Sequence, residues 1–318
     1  MICVVLRGDH TDFAVEEAKS IFQNEPVEIF DRVALFNCQE LPEKIRGAAF
    51  VKEAYEVVTH TSDAEEMYES VSNTQMAEYM FPNESFKINS IKIGPTVCET
   101  DIGLLAGFVG QLDSCYVNLD SPDNIFTHLK GTEHIFGLKL WERTEDFNQR
   151  RPDKLPAPHP TGMSPFIARS LVNISNSTES ILDPFCGAGG FLLEAGMVGL
   201  NARGTDIDSR MVERARTNTE SFDVEATITQ EDGFFVDYSG KTIVTDIPYG
   251  RNSFSEQSPA EFLRRFVEKT LREQCRTVCV VYPLSTETIS VMSNVASTNF
   301  DFEVNSSLTR RVSIYKPS

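Results

Sequence analysis

Asp183-Pro184-Phe185-Cys186-Gly187-Ala188-Gly189-Gly190-Phe191 is the stretch on which the fold turns. Ile181-Leu182 before it reads as the apolar end of a strand, and Phe191 to Met197 after it has helical spacing. A glycine run between a strand and a helix start lets backbone take left-handed angles and come close to a ligand. Working outward, the same order repeats. Ala202 to Thr205 reads as a strand, Met211 to Ser221 as a helix with Ser209 as its N-cap, and Ala226 to Thr229 and Ile243 to Thr245 as strands. Pro259 to Glu273 has helical spacing, and Thr277 to Tyr282 is a β-branched strand. Alternating strands and helices predict an α/β fold with a doubly wound, mostly parallel sheet. Ligands of such sheets bind at the C-terminal strand ends.

Upstream the pattern changes. Four prolines at positions 152, 156, 158 and 160 break any helix, so residues 146–160 are expected to link a region 1–145 to a domain 161–318. In the first region, strands are expected at Ile2 to Leu6, Val33 to Phe36, Phe86 to Ile93 and Tyr116 to Leu119, with helices at Phe13 to Phe22 and Ala64 to Met80. This half reads as α+β.

The chain of 318 residues suffices for two cores. No run approaches the roughly 20 apolar residues of a membrane helix, and Met1 to Leu6 is too short for a secretory signal, so a cytoplasmic protein is expected. Seven cysteines, odd in number and without a Cys-x-x-Cys pair, argue against a disulfide framework and against a zinc site. The net charge of −18 opposes a polyanionic partner at long range. Residues 1–155 carry 14 basic and 27 acidic side chains, so most of the excess lies in the first half.

Four strand ends point to one ligand. The Gly187 loop lacks the Gly-Lys-Ser/Thr of a phosphate loop, and Leu192 stands where a dinucleotide loop needs its third glycine. Asp183 would repel a pyrophosphate and suits the cationic amine of S-adenosylmethionine (SAM). Asp206 in Gly204-Thr205-Asp206-Ile207-Asp208 is placed to accept from ribose hydroxyls, while Asp208 reads as a helix cap. Asp232 in Gln230-Glu231-Asp232-Gly233 fits an adenine amine or, taken alone, a turn aspartate. Asp246-Ile247-Pro248-Tyr249-Gly250 is the most informative segment. A base amine is a poor nucleophile because its lone pair is delocalised. Asp246 and the carbonyl of residue 247 can each accept one amine hydrogen, Pro248 fixes the backbone, and Tyr249 can stack on the base for about 1–3 kcal/mol.

Asp246-Ile247-Pro248-Tyr249 resembles the Asn/Asp-Pro-Pro-Tyr/Phe signature of methyltransferases that act on amino groups. Together, Arg150-Arg151-Pro152, His159-Pro160-Thr161-Gly162-Met163-Ser164-Pro165, Asp183-Pro184-Phe185-Cys186-Gly187 and Asp246-Ile247-Pro248-Tyr249-Gly250-Arg251 resemble the archaeal tRNA guanosine-10 N2-methyltransferase family. The resemblance implies a Rossmann-like SAM methyltransferase domain preceded by a ferredoxin-like subdomain and a THUMP RNA-binding domain, with tRNA as partner. It implies that Asp183, Gly187 and Gly189 line the methionine end of SAM, that Phe185 shares that loop, and that Ser164 closes the pocket. Asp206 with Ile207 would hold the ribose, and Asp232 with Gly233 the adenine. Asp246, Pro248 and Tyr249 would hold the guanine. Ile247 departs from the signature's proline, but the backbone carbonyl that the position offers is kept.

The expected chemistry is direct in-line transfer to the guanine N2 amine, driven by positioning and electrostatics, with neither a metal nor a covalent nucleophile required. Cytosine C5 chemistry needs a cysteine where Tyr249 stands, and Cys186 belongs to the SAM loop. The rival readings are an adenine-N6 DNA methyltransferase, which shares the fourth signature, and a non-catalytic SAM- or RNA-binding subunit.

Overall fold

The computed structural model describes residues 1–95, 98–112, 114–249, 258–306 and 308–317. The chain divides into two compact units, Met1–Thr144 and Glu145–Ser318.

The first unit runs β1 (Ile2–Leu6), α1 (Thr11–Phe22), β2 (Glu28–Phe30), β3 (Val33–Phe36), β4 (Val51–Thr61), α2 (Ala64–Asn73), β5 (Ser85–Lys92), α3 (Ile102–Val109), β6 (Tyr116–Val117), β7 (Asn124–Lys130) and β8 (His134–Glu142). Its strands form one sheet in the order β2-β3-β1-β4-β8-β7-β5-β6, so the two parts expected here share a continuous sheet. β5 pairs in parallel with β6 and β7, and the other pairings are antiparallel. The helix expected to reach Met80 ends at Asn73, because Ser72 and Thr74 turn their hydroxyls onto the carbonyls of Glu69 and Ser70. The strand expected through Leu119 stops at Val117, where the Asn118 side chain accepts from Asp120 and Ser121 to form a turn.

The second unit runs α4 (Pro165–Ile174), β9 (Ser180–Asp183), α5 (Gly190–Met197), β10 (Asn201–Asp206), α6 (Ser209–Glu220), β11 (Ala226–Gln230), β12 (Thr242–Asp246), α7 (Pro259–Arg272), β13 (Thr277–Pro283), α8 (Thr286–Met292), β14 (Thr298–Asn305) and β15 (Leu308–Tyr315). The sheet order is β11-β10-β9-β12-β13-β15-β14. The first five strands are parallel, and β15 and β14 close the edge antiparallel. The expected doubly wound sheet is present, with this antiparallel edge as an addition. Strand order reverses between β9 and β12, which opens a crevice at their carboxyl ends. β13 is buried along almost its whole length, as a strand covered on both faces must be.

Residues 146–160 are not a free spacer. Phe147, Arg150 and Leu155 are buried within the second unit. Arg150 pairs with Glu194 of α5 at 2.7 Å and with Glu145 at 2.6 Å, and Arg169 of α4 pairs with Glu145 at 3.1 Å and Glu194 at 2.8 Å. The Phe147 ring lies 4.9 Å from one guanidinium and 5.2 Å from the other. A single 3-10 turn, Phe147–Arg150, precedes the first proline, and charge pairing and one aromatic ring anchor the segment.

Candidate active site

Three neighbouring strands each end on an aspartate: β10 on Asp206, β9 on Asp183 and β12 on Asp246. β11 ends at Gln230, and Asp232 follows two residues later. A single cavity of about 660 Å³ lies over these ends. Every candidate residue from the sequence lines it except Gly189 and Ser164. Gly250 and Arg251 lie outside the described residues.

Asp183 is almost fully buried. Its Oδ1 accepts from Thr245 Oγ1 at 2.6 Å and from the Phe185 amide at 3.2 Å. Asp206 accepts from the amides of Gly187 at 2.9 Å and Asp208 at 2.9 Å, so one carboxylate ties the glycine loop to the second strand end. Gly187 and Gly189 both have positive φ, 51° and 84°. A Cβ at Gly189 would also press within 3.0 Å of Ala215 on α6, so this glycine serves the loop's close packing from outside the cavity lining. Ser164 precedes α4 and makes no side-chain cap; the cavity is lined on either side of it by Met163 and Pro165. The helix after β10 is capped by Asp208, which accepts from the Arg210 amide, and Ser209 is its first residue rather than its cap. Asp232 accepts from the Phe234 amide at 2.9 Å and thereby turns the chain.

Burial pushes the Asp183 carboxyl up to about 7, and the nearby Asp206 and Asp246 charges add to that shift. Burial likewise pushes Asp246 up to about 7, against the opposing pull of Arg310. Asp206 is raised by burial as well. Converging carboxylates in low dielectric favour a ligand that brings positive charge. Asp246 lines the cavity with its side chain 20% exposed, and its Oδ1 is buried without a hydrogen-bond partner among the described residues. Ile247 is anchored by its amide to the Val281 carbonyl at 3.0 Å, and Pro248 and Tyr249 continue along the wall. Cys186 also lines the cavity, but burial raises its thiol well above the usual range, which keeps it protonated.

Residues 150–311, just over half of the chain, match the model of the RMKL-like methyltransferase domain family. The chain belongs to that family. Within this methyltransferase-domain family chain, similarity extends to two curated archaeal proteins. It is 33% identical over 209 residues to the tRNA (guanine(10)-N2)-dimethyltransferase of Pyrococcus abyssi, covering 61% of this chain and 62% of that one. It is 43% identical over 126 residues to the protein of the same name from Methanothermobacter thermautotrophicus, covering 38% of each. The chain thus spans less than two thirds of the length of these relatives. In fold it is similar to TrmN from Thermus thermophilus, with a TM-score of 0.53, 15% identity and coverage of 100% of this chain and 99% of that one. A possible methylase from Clostridium difficile 630 gives 0.53 at 13% identity, covering 100% and 98%.

Several residues of the site had no role assigned from the sequence, His159 and Met163 having been named only within a motif. His159, Met163, Phe234, Phe262 and Arg265 line the cavity. Arg265 stacks on Phe234, with 3.7 Å between guanidinium and ring centre. Arg310 sits behind Asp246 and does not line the cavity. One signal for Arg310 was present: it alternates in phase with Val312 and Ile314, a cation on an apolar strand face.

Proposed function

We propose that this protein is a SAM-dependent methyltransferase that methylates the exocyclic N2 amine of a guanosine in tRNA, at the position-10 nucleoside named for its relatives. One observation carries the reading: Asp246, its side chain 20% exposed at the end of β12, shares one cavity with the strand-end carboxyls Asp183 and Asp206. SAM brings a sulfonium, an ammonium and two ribose hydroxyls, and the residues present fit that donor set. Asp183 and the Gly187 loop would hold the methionine end, Asp206 the ribose and Asp232 the adenine amine. Bound there, SAM would supply an electrophilic methyl group.

The chain's own contribution is positioning and charge. Asp246 accepts a hydrogen from the guanine amine, and so favours the ammonium character that develops as the nitrogen attacks. Anchoring Ile247 to β13 holds its carbonyl as a second acceptor. Tyr249 supports the base, which must leave its helix to reach a site this deep. The first unit, read as ferredoxin-like and THUMP parts, grips the RNA by shape and backbone. The activity belongs with tRNA in the cytoplasm. No helix among the described residues is long and apolar enough to cross a membrane.

Incubation with methyl-labelled SAM and bulk tRNA, followed by nucleoside analysis, tests this. Label in N2-methylated guanosine is expected, and Asp246→Ala should abolish it while SAM still binds. Label confined to adenine, or none, overturns the reading.

A further inference from the structure

Arg310 stands near the start of β15, opposite Pro283 of β13, and is 7% exposed. Its Nη2 donates to the Thr161 carbonyl at 3.1 Å. Its Nη1 lies 3.8 Å from Met163 Sδ and 3.7 Å from Asp246 Oδ2. The guanidinium is 5.6 Å from the centre of the Tyr249 ring, and Nε has no hydrogen-bond partner among the described residues. Thr161, Met163, Asp246 and Tyr249 all line the cavity that Arg310 itself does not reach. One buried cation therefore touches, from behind, both the segment that leads into α4 and the segment that ends β12.

We propose that Arg310 is a positioning residue that aims the Asp246 carboxylate into the cavity and locks it to the Thr161–Met163 segment. It acts on the substrate amine through Asp246, so the proposal rests on the role given to Asp246 above. A buried guanidinium with an unpartnered N–H is costly unless a charge offsets it. Asp246 is the acid paired with it, and at 3.7 Å the pairing is electrostatic rather than a tight fork. The charged and titratable groups facing Asp246 are Arg310 from β15, Asp183 from β9 and Tyr249 from its own turn. Burial disfavours the ionised form of Asp246, and Arg310 opposes it. Removing the guanidinium should leave the carboxyl protonated at a higher pH, where it no longer serves as an acceptor of full charge.

The test compares wild type with Arg310→Met and Arg310→Lys. In cofactor-free protein, the Asp246 carboxyl is titrated by carbon-13 NMR, its signal assigned by loss in Asp246→Asn. In parallel, kcat and KM for methyl transfer to tRNA and the SAM dissociation constant are measured across pH. Arg310→Met should move the Asp246 titration up by about one pH unit or more and lower kcat at pH 7.5 about tenfold or more, with SAM affinity little changed. Arg310→Lys should restore the titration and only part of kcat, because an ammonium keeps the charge and loses the planar fork. An unmoved titration in folded Arg310→Met, or SAM binding lost in step with kcat, makes Arg310 a structural strut and overturns the proposal. If Arg310→Met does not fold, Arg310→Lys decides: unchanged kcat overturns it. A wild-type protein that leaves guanine in tRNA unmethylated defeats the functional reading instead, and the titration still judges Arg310.

Discussion

At the scale of single residues, the chemistry concentrates on Asp246. Its carboxyl is held near 7 by burial, so it titrates in the range where an enzyme works. Only the ionised form accepts a hydrogen through both oxygens. Methyl transfer is therefore expected to fall as pH drops through about 7, and the acid limb of kcat against pH measures this. Asp246→Asn keeps the shape and loses the charge. It should lower kcat by about 10²-fold or more, a size typical of removing one preorganised electrostatic partner, with SAM affinity by calorimetry nearly unchanged. Asp246 was legible from sequence because its neighbours are local: Ile247, Pro248 and Tyr249 carry the signature with it. Arg310 was hidden because it reaches Asp246 only through the pairing of β13 with β15.

At the scale of elements, the glycine loop and the charged anchor of α5 carry the predictions. Gly189→Ala places a side chain at φ 84° and against Ala215. A loss of about 1–3 kcal/mol in stability is expected by denaturant titration. Glu194 follows the apolar run Phe191-Leu192-Leu193, and its partners lie 25 and 44 residues upstream. Glu194→Ala leaves Arg150 and Arg169 short of a buried counter-charge and should cost about 3–5 kcal/mol in urea unfolding. Strands and helices of the second unit were largely readable, since their periodicities are local. Asp208, read as a helix cap, does cap α6 through the Arg210 amide, while Ser209 is the first residue of that helix; in the first unit, α2 stops where hydroxyls compete for its carbonyls.

At the scale of the whole molecule, the buried acids carry a desolvation cost that shifts their titration. Asp183 and Asp246 bind protons more tightly in the folded chain than in the unfolded one, so between about pH 4 and 7 the native state holds the extra protons. By linkage, their contribution to stability falls as pH rises through that window and levels off above it. The melting temperature of cofactor-free wild type, minus that of Asp246→Asn, should therefore become less favourable from pH 5 to pH 8. A difference that stays flat with pH would contradict the burial of an ionisable Asp246. Adding SAM should raise the melting temperature most at the alkaline end, where the acids are charged and a cationic ligand offsets them.

What the sequence determined by itself was everything carried by neighbours along the chain. That includes the alternation of strand and helix, the glycine turn after β9, and the acids that close successive strands. Backbone preference and hydrophobic period act over a few residues, so they can be read without coordinates. Only the tertiary structure decided that the prolines of 146–160 lie within the second unit, that β14 and β15 run antiparallel, and that Arg310 stands behind Asp246. Those outcomes depend on desolvation and polar contacts between positions up to 149 residues apart, such as Arg310 and Thr161, and such energies exist only after the chain has packed.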